Sequence, residues 1–375
     1  MGVSDEVDLK VVTQAARRLR WIIRSLQCMS QLRKAAFIVT LLYKLNLVVT
    51  MLLAFRPLGR SCLSSKRLLR QTASAASTVS IEAPLDLSSP KDAAIQRNTD
   101  PHAVCVVTGA SRGLGLEFTK QLLERTRGTV VAACRGGGRQ EAPSPGLANL
   151  RRAHPDYASR LSILDLELDS QSSIEKFADT LAERHGGRVD LLLNVAGILH
   201  DAEASPRAPE RALAHIERDW LRKTFEVNTM GPLMLTQALE HMLKLPRTKR
   251  KPKEDPADHS MPPRPPSVVA SVSARVGSIS DNGTGGWYSY RMSKAALNMA
   301  TVNMALELKR SSVWCIALHP GTTDTDLSMP FQKNIKPEKL FTTEFSVGKM
   351  LSIVEAMESH HTGNFYAWDG QRIEW

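Results

Sequence analysis

The sequence has few cysteines, and their placement excludes two classes of site. Five cysteines occur in 375 residues, an odd number at wide spacing, which fits neither a disulfide framework nor a cysteine-based metal cluster. Three of them, Cys105, Cys134 and Cys315, lie in apolar, strand-like runs, where a reduced buried thiol is expected. The composition is 42% hydrophobic and 23% charged, which also excludes disordered, collagen-like and coiled-coil proteins.

Most of the chain also lacks an excess of basic residues. The formal net charge is +11, but residues 1–80 contribute 13 basic and only three acidic side chains. Residues 81–375 hold 36 basic and 35 acidic side chains and are therefore nearly neutral. A nucleic-acid-binding face is not expected, because the positive charge belongs to an N-terminal extension.

The extension, residues 1–80, contains two overlapping features. Residues 35–55 form an apolar segment of about the length that spans a bilayer, although Lys44 and Asn46 near its middle make insertion costly. Residues 51–80 contain five basic residues, many serines and no acidic residue, a composition typical of a mitochondrial or plastid transit peptide. We interpret the extension as a targeting sequence. The alternatives are a membrane anchor, which would contact a bilayer only if residues 35–55 are retained, and an untranslated segment before Met51, which is compatible with either. If the extension is not a transit peptide, the protein is expected to be cytoplasmic or membrane-anchored.

Residues 81–101 are interpreted as a polar linker, and residues 102–375 as one α/β domain. Short apolar, β-branched runs alternate there with helical patterns, which predicts a parallel sheet covered by helices on both faces. Seven strands are expected, at residues 103–109, 129–135, 161–168, 190–197, 267–273, 313–321 and 364–370. The fold class is therefore a Rossmann-type, doubly wound sheet. A long helix is expected over about 216–245, followed by an exposed, proline-rich loop over 246–266 at the edge opposite the ligand crevice.

A glycine-rich turn follows the first predicted strand. It reads Thr-Gly-Ala-Ser-Arg-Gly-Leu-Gly over residues 108–115, and such a turn lets main-chain N–H groups and a helix N-terminus face a dinucleotide pyrophosphate. The second strand ends in Arg135, where an acidic residue would select NAD, and Arg112 and Arg139 lie in the neighbouring loops. Cationic groups there favour a 2′-phosphate, so NADP is predicted in preference to NAD.

Tyr290 and Lys294 are spaced one helical turn apart. Residues at positions i and i+4 share one face of a helix, so the lysine ammonium is expected to lie near the phenol. A nearby positive charge favours the phenolate and lowers the pKa of a tyrosine, which suits it to acid–base catalysis near neutral pH.

The glycine spacing and the Tyr-x3-Lys pair together resemble the classical short-chain dehydrogenase/reductase family over residues 103–375. The resemblance implies that Tyr290 protonates a carbonyl oxygen as hydride leaves the nicotinamide, that Lys294 also binds the nicotinamide ribose, and that Asn228 holds a water in a proton relay. The usual catalytic serine position holds Ala274. Ser273 is therefore assigned the role of polarising the carbonyl, with Ser278 as the alternative.

The same resemblance implies a set of cofactor contacts along the chain. These are Gly109, Ser111, Arg112, Gly113, Leu114, Gly115, Arg135, Leu168, Asn194, Ala196, Gly197, Tyr290, Lys294, Pro320, Gly321, Thr323 and Thr325. No metal ligand is predicted. Candidate pocket walls are Trp287, Tyr288, Met329, Pro330 and Phe331, which suit an apolar or aromatic small-molecule carbonyl or alcohol.

Residues 273–298, 319–332 and 363–375 look more narrowly like the C-factor-like and sniffer-type carbonyl reductases. This resemblance implies NADP-dependent reduction of a ketone or aldehyde to an alcohol. The alternative is an NADP-binding regulatory protein with weak or no catalysis, suggested by Ala274 and by the connection of C-factor with cell–cell signalling. The family usually forms homodimers or homotetramers through the helices that start near residues 216 and 287.

Overall fold

The computed structural model describes residues 83–136, 144–200, 209–245 and 264–375. Three subjects of the sequence analysis lie outside these ranges: the N-terminal extension with its apolar and transit-peptide-like segments, Arg139, and residues 246–263 of the predicted exposed loop. None of the helices within them has the length and hydropathy of a membrane span.

The strands and helices alternate along the chain as the apolar runs predict. The strands are β1 (Val104–Thr108), β2 (Thr129–Cys134), β3 (Leu161–Asp165), β4 (Leu191–Asn194), β5 (Ser267–Val272), β6 (Val313–His319), β7 (Thr322–Thr323), β8 (Leu340–Phe341) and β9 (Phe365–Ala367). The α-helices are α1 (Asp92–Thr99), α2 (Gly113–Arg125), α3 (Pro145–Ala153), α4 (Gln171–His185), α5 (Arg218–Phe225), α6 (Gly231–Ala238), α7 (Glu240–Leu243), α8 (Tyr288–Leu308) and α9 (Thr343–Glu355).

Seven strands form one parallel sheet in the order β3-β2-β1-β4-β5-β6-β9. This confirms the predicted Rossmann-type architecture. Most strand residues are apolar because helices α2, α3 and α9 cover one face of the sheet and helices α4, α6 and α8 cover the other. The strand order reverses between β1 and β4, and the loops that leave the carboxyl ends of β1, β4, β5 and β6 meet beside that point, where open α/β sheets bind ligands.

The predicted linker, residues 81–101, is in part a helix that packs on the domain. Helix α1 buries Ala94 and Arg97, and the side chain of Asn98 donates a hydrogen bond to Glu355 at the end of α9, at 3.1 Å. The polar composition suggested a linker because only two residues of this short helix, Ala94 and Arg97, face the domain and are buried.

The predicted long helix over residues 216–245 is divided. Between α5 and α6, residues Glu226–Met230 form one turn of π-helix, closed by a hydrogen bond from the Gly231 N–H to the carbonyl of Glu226. Pro232 has no N–H with which to continue an α-helical pattern at this point, and the wider turn accommodates it. Gly231 is also packed tightly, since a Cβ atom there would lie 2.6 Å from the Cβ of Leu168.

The described end of the predicted exposed loop, residues 264–266, lies against the domain. Arg264 donates from Nε to the carboxylate of Asp190 at 2.8 Å, and Pro265 is buried. Asp190 is fully buried and also pairs with Arg188 at 2.8 Å. A buried carboxylate requires such partners, so exposure was the wrong expectation for these three residues.

Candidate active site

The glycine-rich turn is fixed to the end of β4 by Thr108. The Thr108 hydroxyl oxygen accepts hydrogen bonds from the N–H groups of Val195 and Ala196, at 3.0 and 3.2 Å. Gly109 then turns with φ +66, and a Cβ atom on it would lie 2.9 Å from the Cα of Ala196. The predicted segments 108–115 and 194–197 are direct neighbours, and only glycine fits at position 109 because they pack so closely.

Helix α2 begins within the same turn. A Cβ atom on Gly115 would lie 2.2 Å from the carbonyl oxygen of Gly109, so glycine is what allows the first turn of the helix to approach the strand. No side chain caps the start of α2. Its first N–H groups therefore remain available for an anion such as a pyrophosphate.

The loop after β6 reaches across to this turn. Gly113 lies beside Thr325, whose Cγ2 would be 3.5 Å from a Cβ atom on the glycine. Arg112 pairs with Asp326 at 3.1 Å, and both side chains are more than 60% exposed. The other predicted contacts of the loop, Pro320, Gly321 and Thr323, follow β6 directly.

Two of the predicted cofactor contacts, Arg135 and Leu168, follow β2 and β3. Arg135 is exposed, and the neighbouring Gly136 donates its N–H to the carboxylate of Asp165 at 2.6 Å. Strand β3 ends at Asp165, three residues earlier than predicted. Leu168, which the sequence analysis placed at the adenine, packs in the core against Gly231; its contact with the cofactor stays a prediction. The sequence analysis did not single out Asp165, the first acidic residue after this apolar run, although its carboxylate meets the main chain at the end of β2.

Tyr290 and Lys294 lie together on the buried face of α8. The Nζ atom of Lys294 is 5.7 Å from the centre of the Tyr290 ring and donates a hydrogen bond to the carbonyl oxygen of Val272 at 2.8 Å. The side chains are 9% and 3% exposed for Tyr290 and Lys294. The pair therefore stands at the carboxyl end of β5.

Burial controls the ionisation of both groups. It raises the pKa of Tyr290 above its ordinary value and lowers the pKa of Lys294 to about 8. The sequence argument predicted the opposite direction for Tyr290. The desolvation of the phenolate outweighs an ammonium at this distance, so the phenol keeps its proton at neutral pH.

Asn228 joins the pair from the π-helical turn. Its Oδ1 accepts from the N–H of Ile198, and its Nδ2 donates to the carbonyl of Ile198, both at 2.8 Å. Nδ2 also donates to the Ser293 hydroxyl at 3.1 Å. A Cβ atom on Gly197 would lie 3.3 Å from Asn228 Oδ1 and 3.5 Å from Lys294 Nζ. The structure thus brings Asn228, Lys294 and Gly197 to one place.

Neither candidate serine shows a contact with Tyr290 in the described structure. The buried Ser273 hydroxyl donates to Oδ1 of Asn298 at 2.6 Å, two helical turns beyond Tyr290. The Ser278 hydroxyl donates to the carbonyl of Glu374 and accepts from the N–H of Asp281 at 3.1 Å. Ser273 therefore stays on the face that packs under α8, and the structure does not support its assigned role.

An aromatic wall leads away from Tyr290. The ring of Trp287 is 6.3 Å from Tyr290 and 5.0 Å from Phe331 between centroids. His200, which the sequence did not single out, lies 6.5 Å from Phe331. Two of the predicted wall residues therefore meet beside the phenol, while Met329 and Pro330 are exposed and Tyr288 is half-buried at the start of α8.

Comparison with known proteins agrees with this geometry. The family model for short chain dehydrogenases matches residues 103–250 and 267–336. The 1-hydroxy-2-glutathionyl-2-methyl-3-butene dehydrogenase of Rhodococcus sp. (strain AD45) is 28% identical over 275 residues, 72% of this chain and 98% of the relative. C-signal of Myxococcus xanthus is 31% identical over 189 residues, 50% of this chain and 94% of the relative.

Two solved structures share the fold. The NADPH-bound carbonyl reductase from chicken fatty liver has 30% identity and a TM-score of 0.59, over 73% of this chain and 99% of that one. Carbonyl reductase Sniffer of D. melanogaster has 25% identity and a TM-score of 0.59, over 74% of this chain and 100% of that one. With its glycine turn, its Tyr–Lys pair and a family match over more than half its length, the chain belongs to the short-chain dehydrogenase/reductase family of oxidoreductases.

Proposed function

We propose that this chain is an NADP-dependent carbonyl reductase that converts a ketone or aldehyde to an alcohol, with Tyr290 as the general acid. The observation that carries the proposal is that Lys294, whose Nζ atom lies 5.7 Å from the centre of the Tyr290 ring, meets Asn228 beside Gly197. Gly197 follows Ala196, which packs against the glycine turn at Gly109, where a Cβ atom would lie 2.9 Å from the Cα of Ala196.

The glycine turn fits a dinucleotide. Gly109 and Gly115 leave main-chain groups bare at the uncapped N-terminus of α2, which suits a pyrophosphate. Arg112 and Arg135 supply positive charge for a 2′-phosphate, and the chicken relative is described as NADPH bound. The bound nicotinamide would supply the hydride to the carbonyl carbon.

The residues of this chain supply the proton for the reaction and control its transfer. The raised pKa of Tyr290 keeps its hydroxyl protonated at neutral pH, so the phenol can donate to the carbonyl oxygen of the substrate. The ammonium of Lys294 stabilises the tyrosinate that is left, and a proton from solvent restores the phenol. Asn228 Oδ1 uses one acceptor site on Ile198 and has a second one for a water in this relay.

The test uses the full chain with NADPH and a panel of aldehydes and diketones. NADPH oxidation that depends on the carbonyl compound, and that disappears in Tyr290→Phe, supports the reductase. Ala274 and the similarity to C-signal favour one competing function, an NADP-binding regulator with little catalysis. Tight NADPH binding without turnover of any carbonyl compound, in the wild-type chain, would support the regulator instead.

We also infer a homodimer or homotetramer. Apolar side chains that are at least 38% exposed lie on the π turn, α6 and α8: Met230, Leu233, Met292, Met299 and Leu306. Water-exposed apolar side chains on neighbouring helices suit an interface between copies. Sedimentation of the full chain tests this, and replacement of Met299 and Leu306 by Glu should give monomers if α8 forms the contact.

We further infer that residues 1–80 direct the protein to a mitochondrion or plastid. The support is the composition of residues 51–80, with five basic residues and no acidic one. Mass spectrometry of the mature N-terminus from the native source tests this inference. A start between residues 51 and 101 is expected, whereas recovery of residues 35–55 would favour a retained membrane segment.

A further inference from the structure

Glu210 is a buried carboxylate that the proposed mechanism leaves without a role. It follows β4 in the loop 198–217 and is 6% exposed. Its side chain accepts hydrogen bonds from the main-chain N–H of Ser289 at 3.4 Å and from the Ser289 hydroxyl. Its main-chain carbonyl accepts the N–H of Trp287 at 2.5 Å. Glu210 therefore holds two of the three residues that precede Tyr290.

The start of α8 needs such an external partner. Gly285, Gly286 and Trp287 all have positive φ, at 62, 68 and 52, a conformation that a bulky residue such as tryptophan rarely adopts. No side chain from this segment caps the helix. The free N–H groups of a first helical turn attract an anion, and the carboxylate of Glu210 meets one of them.

Two contacts of Glu210, from its carboxylate to Ser289 and from its main-chain carbonyl to Trp287, fix two groups that face the substrate. Tyr290 is the third residue of α8, so the direction of the first turn determines where its hydroxyl lies. Trp287, whose N–H Glu210 holds, packs its ring against both Tyr290 and Phe331, at 6.3 and 5.0 Å. A shift of this turn would move the phenol and the aromatic wall together.

We propose that Glu210 is a positioning residue for the reaction: through Trp287 and Ser289 it sets the first turn of α8, and with it the phenol of Tyr290. The role in catalysis rests on the proposed reductase function. The contact between Glu210 and α8 stands independently of it, and the experiment below measures the two separately.

The variants are Glu210→Ala, which removes the carboxylate, Glu210→Gln, which keeps an acceptor for the Ser289 N–H, and Ser289→Ala, which removes one donor. Glu183→Ala is the matched control, since Glu183 is an exposed glutamate on α4. For Glu210→Ala we expect kcat to fall about 10- to 100-fold, the effect of a small misplacement of a catalytic group. NADPH affinity should stay within about twofold of the wild type, because the glycine turn is untouched.

The conservative variant separates positioning from simple support of the fold. Glu210→Gln should recover most of kcat, and Ser289→Ala should lose kcat without losing NADPH affinity. A fall in melting temperature alone, with kcat unchanged in Glu210→Ala, would overturn the proposal. Should Glu210→Ala fail to fold, Ser289→Ala decides the question: a lower kcat supports the proposal, and an unchanged kcat overturns it.

Hydrogen exchange of the peptide covering residues 286–291 measures the contact without any turnover. Exchange should be faster in Glu210→Ala than in the wild type and in Glu183→Ala. Equal exchange would overturn the inference even if the enzyme is active. If the wild type reduces no carbonyl compound, the reductase proposal fails, while faster exchange in Glu210→Ala would still support Glu210 as the cap of α8.

Discussion

The Nζ atom of Lys294 is hydrogen-bonded to the main-chain carbonyl oxygen of Val272, the last residue of β5, at 2.8 Å. The ammonium is thereby held at the carboxyl end of β5, away from solvent. Its burial lowers its pKa to about 8, so its charge is present at neutral pH and is lost as the pH rises through that value.

The rate of carbonyl reduction should therefore fall at alkaline pH. We expect kcat/KM to be level below pH 8 and to decline above it, because neutral Lys294 no longer stabilises the tyrosinate. Lys294→Arg, whose guanidinium stays charged, should abolish this decline even if its rate is lower. A pH profile of NADPH oxidation measures both, and a wild-type profile that stays level well above pH 8 would contradict the assignment.

Replacement of Tyr290 by Phe should remove the proton donor and leave the packing intact. We expect kcat to fall about 10²- to 10⁴-fold, the usual contribution of general acid catalysis, with NADPH affinity unchanged. Tyr157→Phe is the matched control, since Tyr157 is also buried but lies between α3 and β3. Equal activity of Tyr290→Phe and Tyr157→Phe would show that the phenol of Tyr290 donates no proton.

Asn228 should matter for stability as well as for turnover. Asn228→Ala removes both bonds to Ile198 and the bond to Ser293, and unpaired buried groups cost about 1–3 kcal/mol each. We expect a clear drop in the denaturant midpoint together with a loss of kcat. Asn149→Ala, at an exposed position on α3, is the control. If Asn228→Ala proved as stable as Asn149→Ala, the hydrogen bonds of Asn228 would not stabilise the fold, and this prediction would be wrong.

Placing a serine at the usual catalytic position, residue 274, should increase kcat. Ala274→Ser restores the hydroxyl that the family usually carries there, and a donor to a developing oxyanion can be worth about 100-fold in rate. We expect kcat to rise in Ala274→Ser. Ser273→Ala should change kcat little and lower stability, because the Ser273 hydroxyl serves Asn298. The opposite pattern in the two variants would restore Ser273 as the catalytic serine.

Arg135 should decide between the two nicotinamide cofactors. Arg135→Asp replaces an exposed cation at the end of β2 with an acid, which repels a 2′-phosphate and can accept a ribose hydroxyl. We expect the ratio of kcat/KM for NADPH over NADH to fall about 10-fold or more, the value of one charge-assisted bond. An unchanged ratio would assign the selection of NADPH to Arg112. Asp326→Asn would then test that assignment, because it releases Arg112 from its ion pair with Asp326.

The sequence predicted those parts of the site that depend on local pattern. The glycine turn and the spacing of Tyr290 and Lys294 are short-range features, and a strand followed by a helix is enough to place them. The contact of Glu210 with Ser289 joins residues 79 positions apart, and no periodicity reports such a pairing. The end of β3 was misjudged because Leu166 and Leu168 extend the apolar run into the core, although the strand itself has ended.

The π-helical turn at residues 226–230 has a consequence for related chains. One residue more is wound into this turn than an α-helix would hold, and the amide of Asn228 faces Ile198 from within it. Deleting a single residue here would turn every later side chain of α6 by about 100° relative to the sheet. A relative with a one-residue gap at this point in an alignment is therefore expected to lack the hydrogen bonds between this asparagine and the main chain of residue 198.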